Sequence, residues 1–255
     1  MKTRLFASAA CAVALLLSAC GKEGASGSAP GVADNTAAFI AAADALSARL
    51  NTGAPPANDP AVKAFDAQAE QGLRTLDTGA LPLRGFDSYD ALCGKTARIV
   101  AAYLTVGADK APEASRNLVM TKNAEKYLDQ MFTPMMFAAH CTAAHMPFLE
   151  KSAGGDLTAK ATAVEQTRTG TWAQVIGMLQ MAGDPTLDEP RRRRVIDQLE
   201  ADVANFAIIL SAAQRQELAA TLDAVRATLP DRDKPTADKV KANLAGAPCG
   251  PFCRM

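Results

Sequence analysis

Apolar side chains recur every third or fourth position along most of this chain, and no stretch alternates with a period of two between hairpin turns. Such spacing collects them on one face of a helix and leaves a strand no face to bury. Phe39, Ala43, Leu46 and Leu50 form the first stripe, behind Asp34-Asn35-Thr36, residue types that cap helix starts. Val62, Phe65, Ala69, Leu73 and Leu76 form a second, opened by Asp59-Pro60 as N-cap and first-turn proline. Tyr89, Leu92, Thr96, Ile99 and Tyr103 form a third after Asp87, with a loop from Asp77 to Phe86 before it. Composition agrees: 54 of the 255 residues are alanine, the best helix former, and aromatic residues make up only 5%.

The pattern continues to the C-terminus. Residues 112–151 read as one long helix or as two joined at Thr133-Pro134, where the proline removes a backbone donor. A helix from about Leu157 to Ala182 turns Val164, Trp172, Val175 and Leu179 inward. Asp188-Glu189-Pro190 opens the next, striped by Ile196, Leu199, Val203, Phe206 and Leu210. Ser211 and Gln214 have capping-box spacing ahead of Leu218, Leu222, Val225 and Leu229, and a short helix follows over 236–245. The expectation is one all-α, bundle-like domain of seven to nine helices over residues 34–246, with a cysteine-containing tail at 247–255.

Lys2 and Arg4 precede an apolar stretch from Leu5 to Leu17, thirteen residues where a spanning helix needs roughly 20. It ends in Leu17-Ser18-Ala19-Cys20-Gly21. These features resemble the signal peptide and lipobox of bacterial lipoproteins. The resemblance implies cleavage after residue 19 and acylation of Cys20, so that acyl chains, and no spanning segment, attach the protein to a membrane. Neither Gly21 nor Lys22 is aspartate, which by the enterobacterial sorting rule resembles an outer-membrane protein facing the periplasm. Residues 20–33, rich in Gly, Ser, Ala and Pro, read as a flexible tether.

The full chain balances 27 Lys plus Arg against 27 Asp plus Glu; loss of Lys2 and Arg4 leaves 25 against 27, a net of −2. A nucleic-acid binder needs a basic excess to neutralise phosphates, so no nucleic-acid partner is expected. Of six cysteines, Cys11 falls in the leader and Cys20 at the anchor, leaving Cys93, Cys141, Cys249 and Cys253. An even count in an oxidising compartment reads as two disulfides. Chain order favours Cys93–Cys141 with Cys249–Cys253, closing loops of about 49 and 5 residues worth roughly 4 and 2 kcal/mol, while crossed pairings would pin the tail to the bundle. Three residues separate Cys249 from Cys253, not the two of a thioredoxin-like motif.

Other candidates are local. Met135, Met136, His140 and His145 group the soft sulfur and imidazole donors that suit copper(I), although methionine at helical spacing is ordinary core filler. Arg191, Arg192, Arg193 and Arg194 open a helix where positive charge opposes the macrodipole; they read as a contact surface for phosphate, a lipid headgroup or an acidic partner protein, or as a face paired with Asp188, Glu189 and Asp197. Gly94-Lys95-Thr96 lacks the earlier glycine of a P-loop. Leu210-Ser211-Ala212-Ala213-Gln214-Arg215 resembles, with Ser for Thr, the L-T-x-x-Q element of small periplasmic helical chaperones, and also serves as a helix cap.

With two histidines in one patch, no dispersed nucleophile–His–acid set is available, so no catalytic residue or cofactor is nominated. The leading expectation is an anchored helical domain that binds another envelope protein, most specifically an immunity protein against an envelope-acting toxin. A chaperone or assembly factor, a hydrolase using carboxylates brought together by the fold, and a copper-binding protein are the alternatives.

Overall fold

The computed structural model describes residues 33–75, 83–153 and 161–255. The leader, Cys20, nearly all of the tether, Leu76 and the first part of the Asp77–Phe86 loop lie outside them. Among the described residues the chain is all-α and bundle-like, with nine α-helices, one 3-10 turn and no strand. They form two compact units whose boundary falls between Cys141 and Thr142, inside one helix.

In the first unit, α1 (Ala33–Leu50) packs on α2 (Pro60–Thr75) and α3 (Leu83–Thr105), and α3 packs on α4 (Glu113–Lys126). Helix α5 (Leu128–Ala153) begins in this unit. Asp59 caps α2 as its spacing predicts: its Oδ1 accepts from the Ala61 N–H at 2.9 Å and its Oδ2 from Arg49 at 2.8 Å. Helix α1 already includes Asp34-Asn35-Thr36 in its first turn, and α3 starts at Leu83, ahead of Asp87. The buried face of α2 is Val62, Phe65, Ala69 and Gly72, so Gly72 takes the inward place expected of Leu73. The reason is the Phe137 ring of α5, which lies so close to Gly72 that a Cβ there would meet its Cε2 at 2.7 Å. Phe137 also packs on Phe39 at 4.8 Å between centroids, and Phe39 on Phe65 at 5.4 Å.

Of the two readings of residues 112–151, two helices are present, but they meet at Tyr127, where φ −108° and ψ 20° leave helical values, and not at Thr133-Pro134. Asn123, at the end of α4, donates from Nδ2 to the carbonyls of Leu104 and Val106 at 2.8 and 2.9 Å, closing the open C-terminus of α3. Tyr127 packs at a tilt against Tyr103 of that same helix end, with centroids 5.4 Å apart. The corner is therefore set by two anchors on α3, and α5 runs on through Pro134.

The second unit contains α6 (Ala161–Gly183), α7 (Glu189–Ile209), α8 (Ala212–Thr228) and α9 (Lys234–Gly246), with a 3-10 turn at Asp231–Asp233. Helix α6 packs on α7 and α8, and α9 on α7 and α8. Asp188 caps α7 by accepting from the Arg191 N–H at 2.9 Å. Ser211 and Gln214 close the expected box: the Ser211 N–H donates to Gln214 Oε1 at 3.0 Å, and the Gln214 N–H to Ser211 Oγ at 3.3 Å. On α6, Thr171 is fully buried and Trp172 only partly, a small rotation of the face inferred from the stripe.

Candidate functional site

The four cysteines pair in chain order. Cys93 on α3 joins Cys141 on α5 with Cα atoms 5.7 Å apart, and Cys249 joins Cys253 within the tail at 5.2 Å. The first cystine is buried at both ends, whereas in the second Cys249 is exposed and Cys253 is only 5% exposed.

The crossed pairings were the ones that would hold the tail, yet it is ordered without them. Phe252 is buried at 2% exposure, and two arginines hold the backbone around it. Arg168, itself 7% exposed, donates from Nη2 to the carbonyl of Phe252 at 2.6 Å and from Nε to that of Ile209 at 2.9 Å. Arg215 donates to the carbonyls of Ala247 and Pro248 at 2.9 and 3.0 Å, and also to those of Ala207 and Leu210. Ala207, Ile209 and Leu210 end α7, where carbonyls lack intrahelical donors and favour positive charge. One pair of guanidiniums thus caps α7 and seats the tail. Glu165 pairs with Arg168 at 2.6 Å. Burial draws the Arg215 pKa below its ordinary value, and the negative charge of Glu150 opposes that shift. Glu150 also fills the space beside Gly250, where an added methyl would collide with its carboxylate.

Neither arginine is a site candidate by sequence alone. Arg168 left a trace: it continues the apolar stripe of Val164 and Val175, a position where a charge must find partners. Arg215 carried no comparable mark beyond following the Ser211–Gln214 cap.

Met135 and Met136 are buried in the first unit, with Cys141 taken by its cystine. His140 and His145 are half-buried, five residues apart on α5, and each is engaged by other groups. Among the described residues no group of three or more His, Cys, Asp or Glu side chains is arranged to hold a metal ion. In the arginine run, Arg191 pairs with Asp188 at 3.3 Å, and Arg193 lies 3.8 Å from both Asp197 and Asp233. Arg232 joins the same patch through Glu189. Acids thus meet Arg191 and Arg193 within the start of α7 and the 3-10 turn. Burial, then the charges of Asp233 and Glu200, push the Asp197 carboxyl up, against Arg193 and Lys239.

No protein family, curated protein or solved structure matches this chain.

Proposed function

We propose that the chain is a lipoprotein of the bacterial cell envelope, held at the outer membrane by acyl chains on Cys20, whose all-α domain faces the periplasm and binds another envelope protein. Its most specific form is an immunity protein that inhibits an envelope-acting toxin. The observation that carries the anchor is Leu17-Ser18-Ala19-Cys20-Gly21 behind Lys2, Arg4 and a short apolar stretch. Each buried CH₂ contributes about 0.8 kcal/mol, so two or three acyl chains on Cys20, shared between its thiol and its amine, anchor a protein stably. Among the described residues no helix is long and apolar enough to cross a membrane. Two cystines uniting all four cysteines beyond residue 20 support an oxidising compartment. The binding role is argued from architecture, a tethered helical domain stapled by cystines, and so by analogy with anchored inhibitors.

Metabolic labelling with a palmitate analogue tests the anchor. The native chain takes up label and sediments with membranes, and Cys20→Ala loses both; an unlabelled chain retaining residues 1–19 overturns the reading. The partner is tested by mixing the full chain with the product of a neighbouring gene. A tight one-to-one complex that suppresses that product's toxicity supports immunity, and absence of any such complex removes it.

A further inference from the structure

The C-terminal cystine is built differently from the one in the first unit. Cys249 faces solvent while Cys253 is buried, so an incoming sulfur has access to one end only. The loop between them is held by hydrogen bonds as well as by the S–S bond. Arg215 holds the carbonyls of residues 247 and 248, immediately before Cys249, and Arg168 holds that of Phe252, immediately before Cys253. A guanidinium thus bonds the backbone next to each cysteine, and a cation near a sulfur favours its thiolate and makes it a better leaving group. The acids facing these cations are Glu165, paired with Arg168, and Glu150, set against Gly250; Arg254 lies exposed next to Cys253.

We propose that Cys249–Cys253 is a redox-active cystine that oxidises a dithiol of another protein, with Cys249 as the sulfur attacked. A partner thiolate forms a bond to Cys249 Sγ, and the Cys249–Cys253 bond breaks with its electron pair on Cys253. The partner's second thiol, giving its proton to solvent, then attacks the partner sulfur of the mixed disulfide and releases Cys249 as thiolate. The partner leaves oxidised to a disulfide; the two electrons reside on Cys249 and Cys253, which take protons from water. Three residues between the cysteines lengthen the loop relative to a thioredoxin-like motif, and the two arginines supply the preorganisation that a shorter loop builds into its covalent frame. Only the partner's location rests on the envelope reading above, so the exchange is tested in vitro, apart from the anchor.

The full chain is equilibrated in buffers of graded oxidised and reduced dithiothreitol, its thiols are trapped by alkylation, and each cystine is followed by mass spectrometry. Cys249–Cys253 is expected to open and reclose reversibly, at least about tenfold faster than Cys93–Cys141. Glutathione disulfide should form its adduct on Cys249 in Cys253→Ser. Backbone amides of 247–255 should keep their protection from hydrogen exchange after opening, because the arginines remain. Simultaneous opening of both cystines, capture of glutathione by Cys253 in Cys249→Ser at an equal rate, or loss of amide protection on reduction would each overturn the proposal, the last by making the bond a staple for the tail.

Discussion

Arg168 Nη2 donates to the carbonyl oxygen of Phe252 at 2.6 Å, joining residues 84 positions apart, while Nε of the same guanidinium caps Ile209 at the end of α7. A single side chain therefore couples the end of a helix to the end of the chain. Arg168→Met keeps much of the side-chain volume but removes donors from both carbonyls. The Phe252 carbonyl retains the Met255 N–H at 3.3 Å; the loss at Ile209 and the exposure of Glu165 without its partner remain. The expected cost is about 2–4 kcal/mol in urea unfolding, with hydrogen-exchange protection lost first in residues 247–255. Arg168→Lys should recover little, since an ammonium lacks the fork that reaches two carbonyls. Equal stability of Arg168→Met and the native chain would show the tail to be seated without Arg168.

Gly72 faces Phe137, and an aromatic ring wedged between Gly72 and Phe39 has no room to retreat. Gly72→Ala gains helix propensity of about 1 kcal/mol, yet overpacking should outweigh it and leave a net loss of about 1–2 kcal/mol. Shortening the ring in Gly72→Ala/Phe137→Leu should cost less than the sum of the single variants, because the methyl occupies space the ring gave up. Additive losses would place the strain elsewhere.

Helix content and the starts of three helices were legible because local chemistry writes them: the Asp59, Asp188 and Ser211 caps behave as their spacing indicates. What escaped depended on residues distant in sequence. Tyr127 breaks the helix because Tyr103 and the end of α3 receive it and Asn123, and nothing near Tyr127 announces those partners. Pro134, the obvious breaker, is accommodated within α5. Gly72 turns inward because Phe137 comes down on it. Arg168 and Arg215 likewise became a cap for α7 only through the fold.

The two cystines should differ in thermodynamic weight. Cys93–Cys141 ties α3 to α5 across a separation of 48 residues, while Cys249–Cys253 spans 4. In the chain-entropy model, replacing the first pair by serines costs about 4 kcal/mol and the second about 2 kcal/mol at most. Urea unfolding of the two double-serine variants checks the order. A larger loss from the tail pair would mean that its bond, and not Arg168 with Arg215, seats residues 247–255.

Two aspartates should bend the pH dependence of stability in opposite directions. The Arg49 side chain, then the Ala61 N–H, hold the Asp59 carboxyl below its ordinary value of 3.8, against burial. The folded state thus binds that proton less readily than the unfolded one. Its stabilising contribution is complete above pH 3.8 and disappears as pH falls through the folded value. Asp231, bonded by Lys234, and Asp238, bonded by Arg226, act with the same sign. Asp197 is the opposite case: burial first, then Asp233 and Glu200, raise its carboxyl above 3.8. Its contribution is complete below 3.8 and is lost as pH rises through the folded value, so the ionised group is a liability at neutral pH. Asp59→Asn should therefore be less stable than the native chain at pH 7 and approach it in acid. Asp197→Asn, which keeps the shape without the charge, should show a stability difference that shifts in its favour as pH rises from 3 to 7. Urea midpoints across that range decide it: parallel curves for the two variants would remove the electrostatic account of both residues.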